Sequence, residues 1–299
     1  MGKRCFLPVV GSIFNGAKAH KNQTFENKQN IKGKIIMKKE NKSNVHVIVQ
    51  TKGGVGKTTV SGIVATLLYL QNQNKKINLF EIDDNNNSKI NSNYINYQSL
   101  KLKDSEIVID DIQFNSLSDS NVTNIVDAGG GNDTKIVLQK LKEIDLSGLN
   151  YYIPVNDDME QVQNLKDTVT LIRDFDKSAN INLILNRCFS LEKDEIEKQF
   201  INIFGSDDLD IPNQLDNLKV DNIFFFSNSN IFSILKIFYK VSLLDSYLSS
   251  VDLIQNIDTY RQEWIKEGQD VFKANNKRYR FAKMVVELIE QLKPIQKAL

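Results

Sequence analysis

Cysteine is nearly absent from this chain of 299 residues: Cys5 and Cys188 stand alone and far apart. Such a pair excludes a disulfide framework. It leaves nothing from which to build an iron–sulfur or thiolate metal site, and it fits a reducing compartment. Histidine is equally scarce, with His20 and His46 only. His46 lies inside an apolar run and reads as a packed strand residue. No apolar run approaches the roughly 18 residues of a membrane span. Residues 5–14 are mildly apolar behind Lys3-Arg4, but Pro8 interrupts them and no small-x-small cleavage site follows, so a cytoplasmic protein is expected. Net charge is also lacking: at +1 there is no global field to draw the chain onto DNA or anionic lipid, and any such contact needs a local patch.

The composition that remains is that of a globular protein, 41% hydrophobic and 25% charged. Residues 1–44 show no periodicity and are rich in Lys, Asn and Gln, so they are expected to be a disordered leader. Met37-Lys38-Lys39 offers a second start, because Ile31-Lys32-Gly33-Lys34 just upstream would be encoded by a purine-rich tract. Residues 45–299 are expected to form one α/β domain with C-terminal helices.

One run organises that domain: Val45-His46-Val47-Ile48-Val49-Gln50-Thr51-Lys52-Gly53-Gly54-Val55-Gly56-Lys57-Thr58-Thr59. A buried strand leads into a glycine-rich loop, and the loop into a helical pattern carried by Val60, Ile63, Val64, Leu67 and Leu68. This is the order a phosphate-binding loop requires. Gly53, Gly54 and Gly56 let the backbone turn and aim its amides inward, with Val55 between them. The positive end of the following helix faces the same point. Lys57 supplies a mobile charge for outer phosphates, the Thr58 hydroxyl can ligate Mg²⁺, and Thr59 can bond an inner phosphate.

Thr51 stands where the first glycine of the common pattern would be, and Lys52 adds a second lysine at the front of the loop. Lys52 to Thr59 therefore resembles the deviant Walker A motif of the ParA/MinD superfamily. The resemblance implies ATP and Mg²⁺ as ligands, an ATPase that forms a homodimer on binding ATP, and a plasmid-encoded protein partner. It also implies that Lys52 reaches across the dimer to the partner's phosphates while Lys57 serves its own.

Further strands alternate with helices, the mark of a mostly parallel β-sheet covered by helices on both faces. Residues 77–82 read as a strand that runs into Asp83-Asp84-Asn85. Carboxylates at the C-terminal end of a parallel strand sit at the ligand edge of such a sheet. The superfamily carries Asp-x-Asp-Pro-Gln here. The alignment puts Glu81 on the first aspartate, Asp83 on the second and Asn85 on the glutamine. By resemblance Asp83 acts on the attacking water and the Mg²⁺ shell, with Asp84 as the alternative. Asp127 ends the strand at 125–128, before Gly129-Gly130-Gly131, and can hold Mg²⁺ through water. The family more often has prolines after this aspartate, so glycines here imply a more flexible switch loop.

Helices are expected at about 133–143 and from 158 to 174, and strands at 149–155, 181–186 and 222–226. Asn186 closes its strand either as an adenine-pairing amide, as in the superfamily, or as a simple asparagine turn. Residues 88–121 are polar with apolar patches at 107–109 and 112–114 and assign themselves to no element. Helices are further expected at 191–204, 231–248 and 258–293, the last ended by Pro294. On that last helix Lys273, Lys277 and Arg280 share a face that is either a grip for DNA phosphates or a solvated surface. Pro294 interrupts residues 288–299, which makes them a poor membrane anchor. Two roles fit within the superfamily: a ParA-like switch for plasmid partition and DNA positioning, or an adaptor in conjugative transfer with little hydrolysis. Residues 112–115 and 124–129 are similar to the TraL and StbB proteins of the second branch.

Overall fold

The computed structural model describes residues 43–84 and 90–299. The expected leader and the start at Met37 lie outside the described residues, save Ser43 and Asn44, as does Asn85. Ser43 and Asn44 are hydrogen-bonded into the sheet: the Asn44 amide donates to the Val122 carbonyl, and its own carbonyl accepts from the Asn124 N–H.

Among the described residues seven strands form one sheet: β1 (Val45–Ile48), β2 (Lys76–Ile82), β3 (Ile95–Leu100), β4 (Val122–Ala128), β5 (Asn150–Val155), β6 (Asn180–Cys188) and β7 (Asn222–Ser227). Their order is β3-β2-β4-β1-β5-β6-β7 and every pairing is parallel. Both faces of the inner strands are buried, which explains why these strands read as continuous apolar runs. One face packs α2 (Ser105–Ser118), α3 (Asn132–Glu143), α4 (Glu160–Phe175), α5 (Lys193–Gln199), α6 (Ile201–Phe204) and α7 (Leu215–Leu218), through Ile112, Leu138, Leu165, Ile196, Ile203 and Leu218. The other face packs α1 (Lys57–Gln71), α8 (Ile231–Ile234), α9 (Leu243–Gln255) and α11 (Gln269–Gln296). α10 (Ile257–Glu267) pairs with α11 outside them.

Four expectations need correction. The unassigned stretch 88–121 contains β3 and α2. Its apolar residues Val108, Ile109 and Ile112 are one buried helix face. The helix expected over 191–204 is interrupted at Phe200, whose ring is buried. The helix expected over 231–248 breaks. α8 continues as a π-helical turn, Leu235–Tyr239, and ends at Lys240 in the left-handed region (φ 53°). A new helix then starts because the Ser242 hydroxyl accepts the Asp245 N–H as an N-cap. In the tail Gly268 (φ 109°) separates α10 from α11, and α11 runs through Pro294 to Gln296. A proline so near a helix end forfeits one hydrogen bond, to the carbonyl of Glu290, an exposed residue.

α11 matters to the ligand edge because it braces α1. Val285, Leu288, Ile289 and Leu292 are buried in the cluster that contains Val60, Ile63 and Leu67. Gln296 donates to the Leu67 carbonyl. Ile289→Ala is expected to cost about 2–5 kcal/mol, the usual range for emptying a fully buried aliphatic site. Urea unfolding should show a lower midpoint with an unchanged slope.

Candidate functional site

The C-terminal ends of β1, β2, β4 and β6 open on one cleft of about 490 Å³. Gly53, Gly54, Gly56, Lys57, Thr58 and Thr59 line it from the loop; Glu81 and Asp83 from β2; Asp127, Ala128, Gly129 and Gly130 from β4; Arg187 and Lys236 from the far side. The loop's shape follows from its glycines. Gly54 (φ 78°) and Gly56 (φ 95°) occupy the left-handed region, and Gly56 is the N-cap of α1. A Cβ on Gly56 would come within 2.3 Å of the Asn186 amide nitrogen. Val55 between them is fully buried and anchors the loop.

Polar side chains hold the loop from beneath. Gln50 accepts from Thr168 at 2.7 Å and donates to the Pro154 carbonyl. Thr134 donates to the carbonyls of Gly129 (2.6 Å) and Gln50 (3.4 Å). The glycine run after β4 is pinned to the same loop, because the Gly131 N–H donates to the Thr51 carbonyl at 2.7 Å. Gly131 sits at φ 63°, ψ −120° between the Gly130 carbonyl and the Asp133 N–H that donates to it. That is the first central position of a type II′ turn, which calls for glycine.

The two lysines part company. Lys57 points into the cleft, where its ammonium lies 3.5 Å from the Gln50 carbonyl and 3.4 Å from that of Lys52. Burial lowers its pKa, opposed by Asp127, Asp83 and Asp133. Lys52 is not among the cleft-lining residues. Its ammonium meets Glu160 at 2.7 Å and Asp158 at 3.3 Å beside the start of α4. These acids raise its pKa, the Glu160 hydrogen bond most.

Asp127 is almost fully buried. Burial and the neighbouring Glu81 push its carboxyl up to about 7, against the Thr58 hydroxyl, Lys57 and Ser61. Ser61 donates to it at 3.2 Å. Asp83 lines the cleft, whereas Asp84 turns away: its carboxylate accepts the Leu102 N–H at 2.9 Å. Asn186 is bonded to backbone on both sides. Its amide donates to the Val55 carbonyl at 2.9 Å, and its oxygen accepts the Arg187 N–H at 3.0 Å.

The residues fit a magnesium nucleotide. Amides at a helix N-terminus, a half-buried lysine and a threonine suit a phosphate chain. No group of three or more metal-ligating side chains occurs among the described residues. Mg²⁺ needs none, since it binds through one or two carboxylates, water and phosphate oxygens.

Sequence reasoning missed Arg187, Lys236 and the bracing by Gln50, Thr134 and Thr168. Arg187 follows a strand-ending asparagine, a usable signal. Lys236 carries none, because the π-helical turn after α8 places it here. Lys273, Lys277 and Arg280 lie exposed on α11. No helix among the described residues is long and apolar enough to cross a membrane.

Fold and cleft together define a phosphate-loop nucleotide-binding protein. Residues 46–214 match the family model of the CobQ/CobB/MinD/ParA nucleotide binding domain, and the chain belongs to that family. No curated protein sequence matches it. Among solved structures it is similar to the MinC:MinD cell division complex of Aquifex aeolicus, at 18% identity and TM-score 0.45, over 67% of this chain and 88% of that one. It is similar to a putative plasmid partition protein of Borrelia burgdorferi B31 bound to AMPPNP, at 16% identity and TM-score 0.42, over 66% and 90%. It is also similar to MinD of Pyrococcus horikoshii complexed with Mg-ADP, at 12% identity and TM-score 0.41, over 84% and 98%.

The Asp127 shift carries a sign. The native state holds this proton above the usual carboxylate range, so the ligand-free protein loses stability as pH rises from about 4 to about 7. If Asp127 holds Mg²⁺ it must do so as the carboxylate, and binding of Mg-nucleotide at pH 6 should then release a proton. Calorimetry in two buffers of different ionisation enthalpy reads that release, and Asp127→Asn should abolish it.

Proposed function

We propose that the protein is a Mg-ATP-dependent switch that dimerises on binding ATP, hydrolyses it slowly under the control of a protein partner, and positions plasmid DNA in partition or maintenance. The observation that carries this reading is the divergence of the two lysines. Lys57 serves the cleft of its own subunit. Lys52 comes from the same loop yet faces outward, against acids at the protein surface, where a second subunit can receive it.

Bound Mg-ATP supplies the phosphoryl group and neutralises part of its charge. The chain supplies position and counter-charge, which is most of what phosphoryl transfer needs. Thr58 and Asp127 hold the metal, Asp83 orients water, and the loop amides with Lys57 bind the phosphates. Lys52 completes the charge only when two subunits meet, so hydrolysis is coupled to dimerisation. The exposed stripe Lys273, Lys277 and Arg280 grips DNA phosphates without reading sequence. The 45–299 stretch acts as one unit.

A second reading is a nucleotide-dependent adaptor in conjugative transfer that hydrolyses little. Gly129, Gly130 and Gly131 favour it, since they offer no side chain beside the outermost phosphate.

Lys57→Ala should abolish Mg-ATP binding by calorimetry. Lys52→Ala should bind ATP but lose ATP-dependent dimerisation in light scattering, together with turnover. Dimerisation intact in Lys52→Ala would contradict the trans role. Turnover that stays negligible with DNA and partner present would favour the adaptor. Alanine at Lys273, Lys277 and Arg280 should weaken duplex binding for every sequence alike. It should also flatten the salt dependence by roughly one log-log unit for each phosphate no longer neutralised.

A further inference from the structure

Arg187 is placed with unusual care for a surface arginine. β6 and β7 pair residue for residue until Asn186, opposite Phe226; the next pair is Cys188 with Ser227. Arg187 is the extra residue of a β-bulge, and its φ of 61° is one that non-glycine residues seldom adopt. Asn186 and Cys188 on either side are buried, while Arg187 is exposed and lines the cleft. The bulge is braced from α5. Gln199 donates to the Arg187 carbonyl at 3.1 Å and accepts the Phe189 N–H at 2.9 Å. Backbone strain held by its surroundings is a reason to look for a function.

The guanidinium donates to the Gly54 carbonyl at 3.3 Å, while neighbouring Asn186 holds the Val55 carbonyl. In a loop whose amides point inward at phosphates, the carbonyls point outward. Arg187 therefore lies outside the phosphate cradle. Its position in the sheet says what lies there. Glu81, Asp83 and Asp127 end β2 and β4, on one side of β1, and mark the metal end of the phosphate chain. β6 is two strands away on the other side of β1. A triphosphate with its outer end toward the acids sends its nucleoside toward β6.

We infer that Arg187 forms one wall of the nucleoside subsite, with its guanidinium plane stacked on a purine base. This rests on the nucleotide-binding reading of the cleft. A guanidinium suits such a wall because it is planar, weakly hydrated and permanently charged, and it stacks on aromatic faces. No salt bridge among the described residues engages it. The hydrogen bond to Gly54 fixes the plane beside the loop before ligand arrives.

The test is calorimetry of the full chain with Mg-ATP, Mg-ADP and magnesium tripolyphosphate. Arg187→Gly is the first variant, because glycine tolerates the positive φ and the fold is retained. It should weaken ATP and ADP by the same factor, roughly 3- to 30-fold for a lost cation–π stack. Tripolyphosphate affinity should be unchanged. Arg187→Lys should recover only part of the loss, since an ammonium has no plane. A loss much larger for ATP than for ADP, or one shared by tripolyphosphate, would place Arg187 on the phosphates and overturn the inference. So would unchanged affinity for all three ligands. A wild-type chain that fails to bind Mg-ATP would instead remove the nucleotide reading itself.

Discussion

Lys57, half-buried, and Asp127, almost fully buried, face one cleft at the head of α1, and neither charge is at ease there. Burial lowers the pKa of the Lys57 ammonium and raises that of the Asp127 carboxyl to about 7, although the two attract each other. Desolvation outweighs the attraction on both sides, as it does for charged groups withdrawn from water without a close partner of opposite sign. A magnesium nucleotide resolves both strains together. Phosphate oxygens offer the lysine a full counter-charge, and the metal favours the ionised aspartate. Such a ligand suits both groups, and the remaining architecture keeps them where it can reach them.

That requirement explains the polar residues packed around the loop. Gln50, Thr134 and Thr168 tie the loop to β5, α3 and α4, while Asn186 and Arg187 tie it to β6. A glycine-rich loop has much conformational entropy to lose, and each of these bonds reduces the cost that remains when ligand binds. Burying such groups is acceptable because they are paired. α11 contributes from the other side by pressing α1 against the sheet, so the tail of the chain supports the charge at its front.

The strands with buried faces and the loop itself are legible because periodicity and glycine placement are local signals. β2, β4, β5 and β6 appear within a few residues of where their apolar runs put them. Asp83 and Asp127 can be named because strand ends in a parallel sheet share one edge. What stays hidden depends on distant contacts. α2 is unreadable because Ile107, Phe114 and Leu117 stand exposed on it and blur its apolar face. The break after Tyr239 is set by a lysine in a left-handed conformation and by a serine cap, neither of which disturbs hydrophobic spacing. Asn186 reads as either a base-pairing amide or a turn residue, and its bond to the Val55 carbonyl is invisible in sequence because it joins positions 131 residues apart. Arg187 reaches the cleft through a bulge, and a bulge is a property of two paired strands rather than of one sequence.

The glycine run after β4 bears on how such a switch works. Glycines suggest freedom, but this turn is fastened at three points: Gly129 N–H to the Ile82 carbonyl, Gly131 N–H to Thr51, and Thr134 to Gly129. A Cβ on Gly129 would strike the Asp133 carboxylate at 2.5 Å. The Gly129 position is thus closed by Asp133, while a Cβ on Gly130 would lie in van der Waals contact with Gly53 of the phosphate loop. Because the packed turn brings no side chain to the outermost phosphate, charge there must come from elsewhere. Lys57 comes from the same subunit. Under the proposed switch the further cation is Lys52 from the partner, which must first leave Glu160 and Asp158. Those acids are exposed, and solvent screens exposed ion pairs until they hold only weakly, so a second subunit can draw the lysine away at little cost.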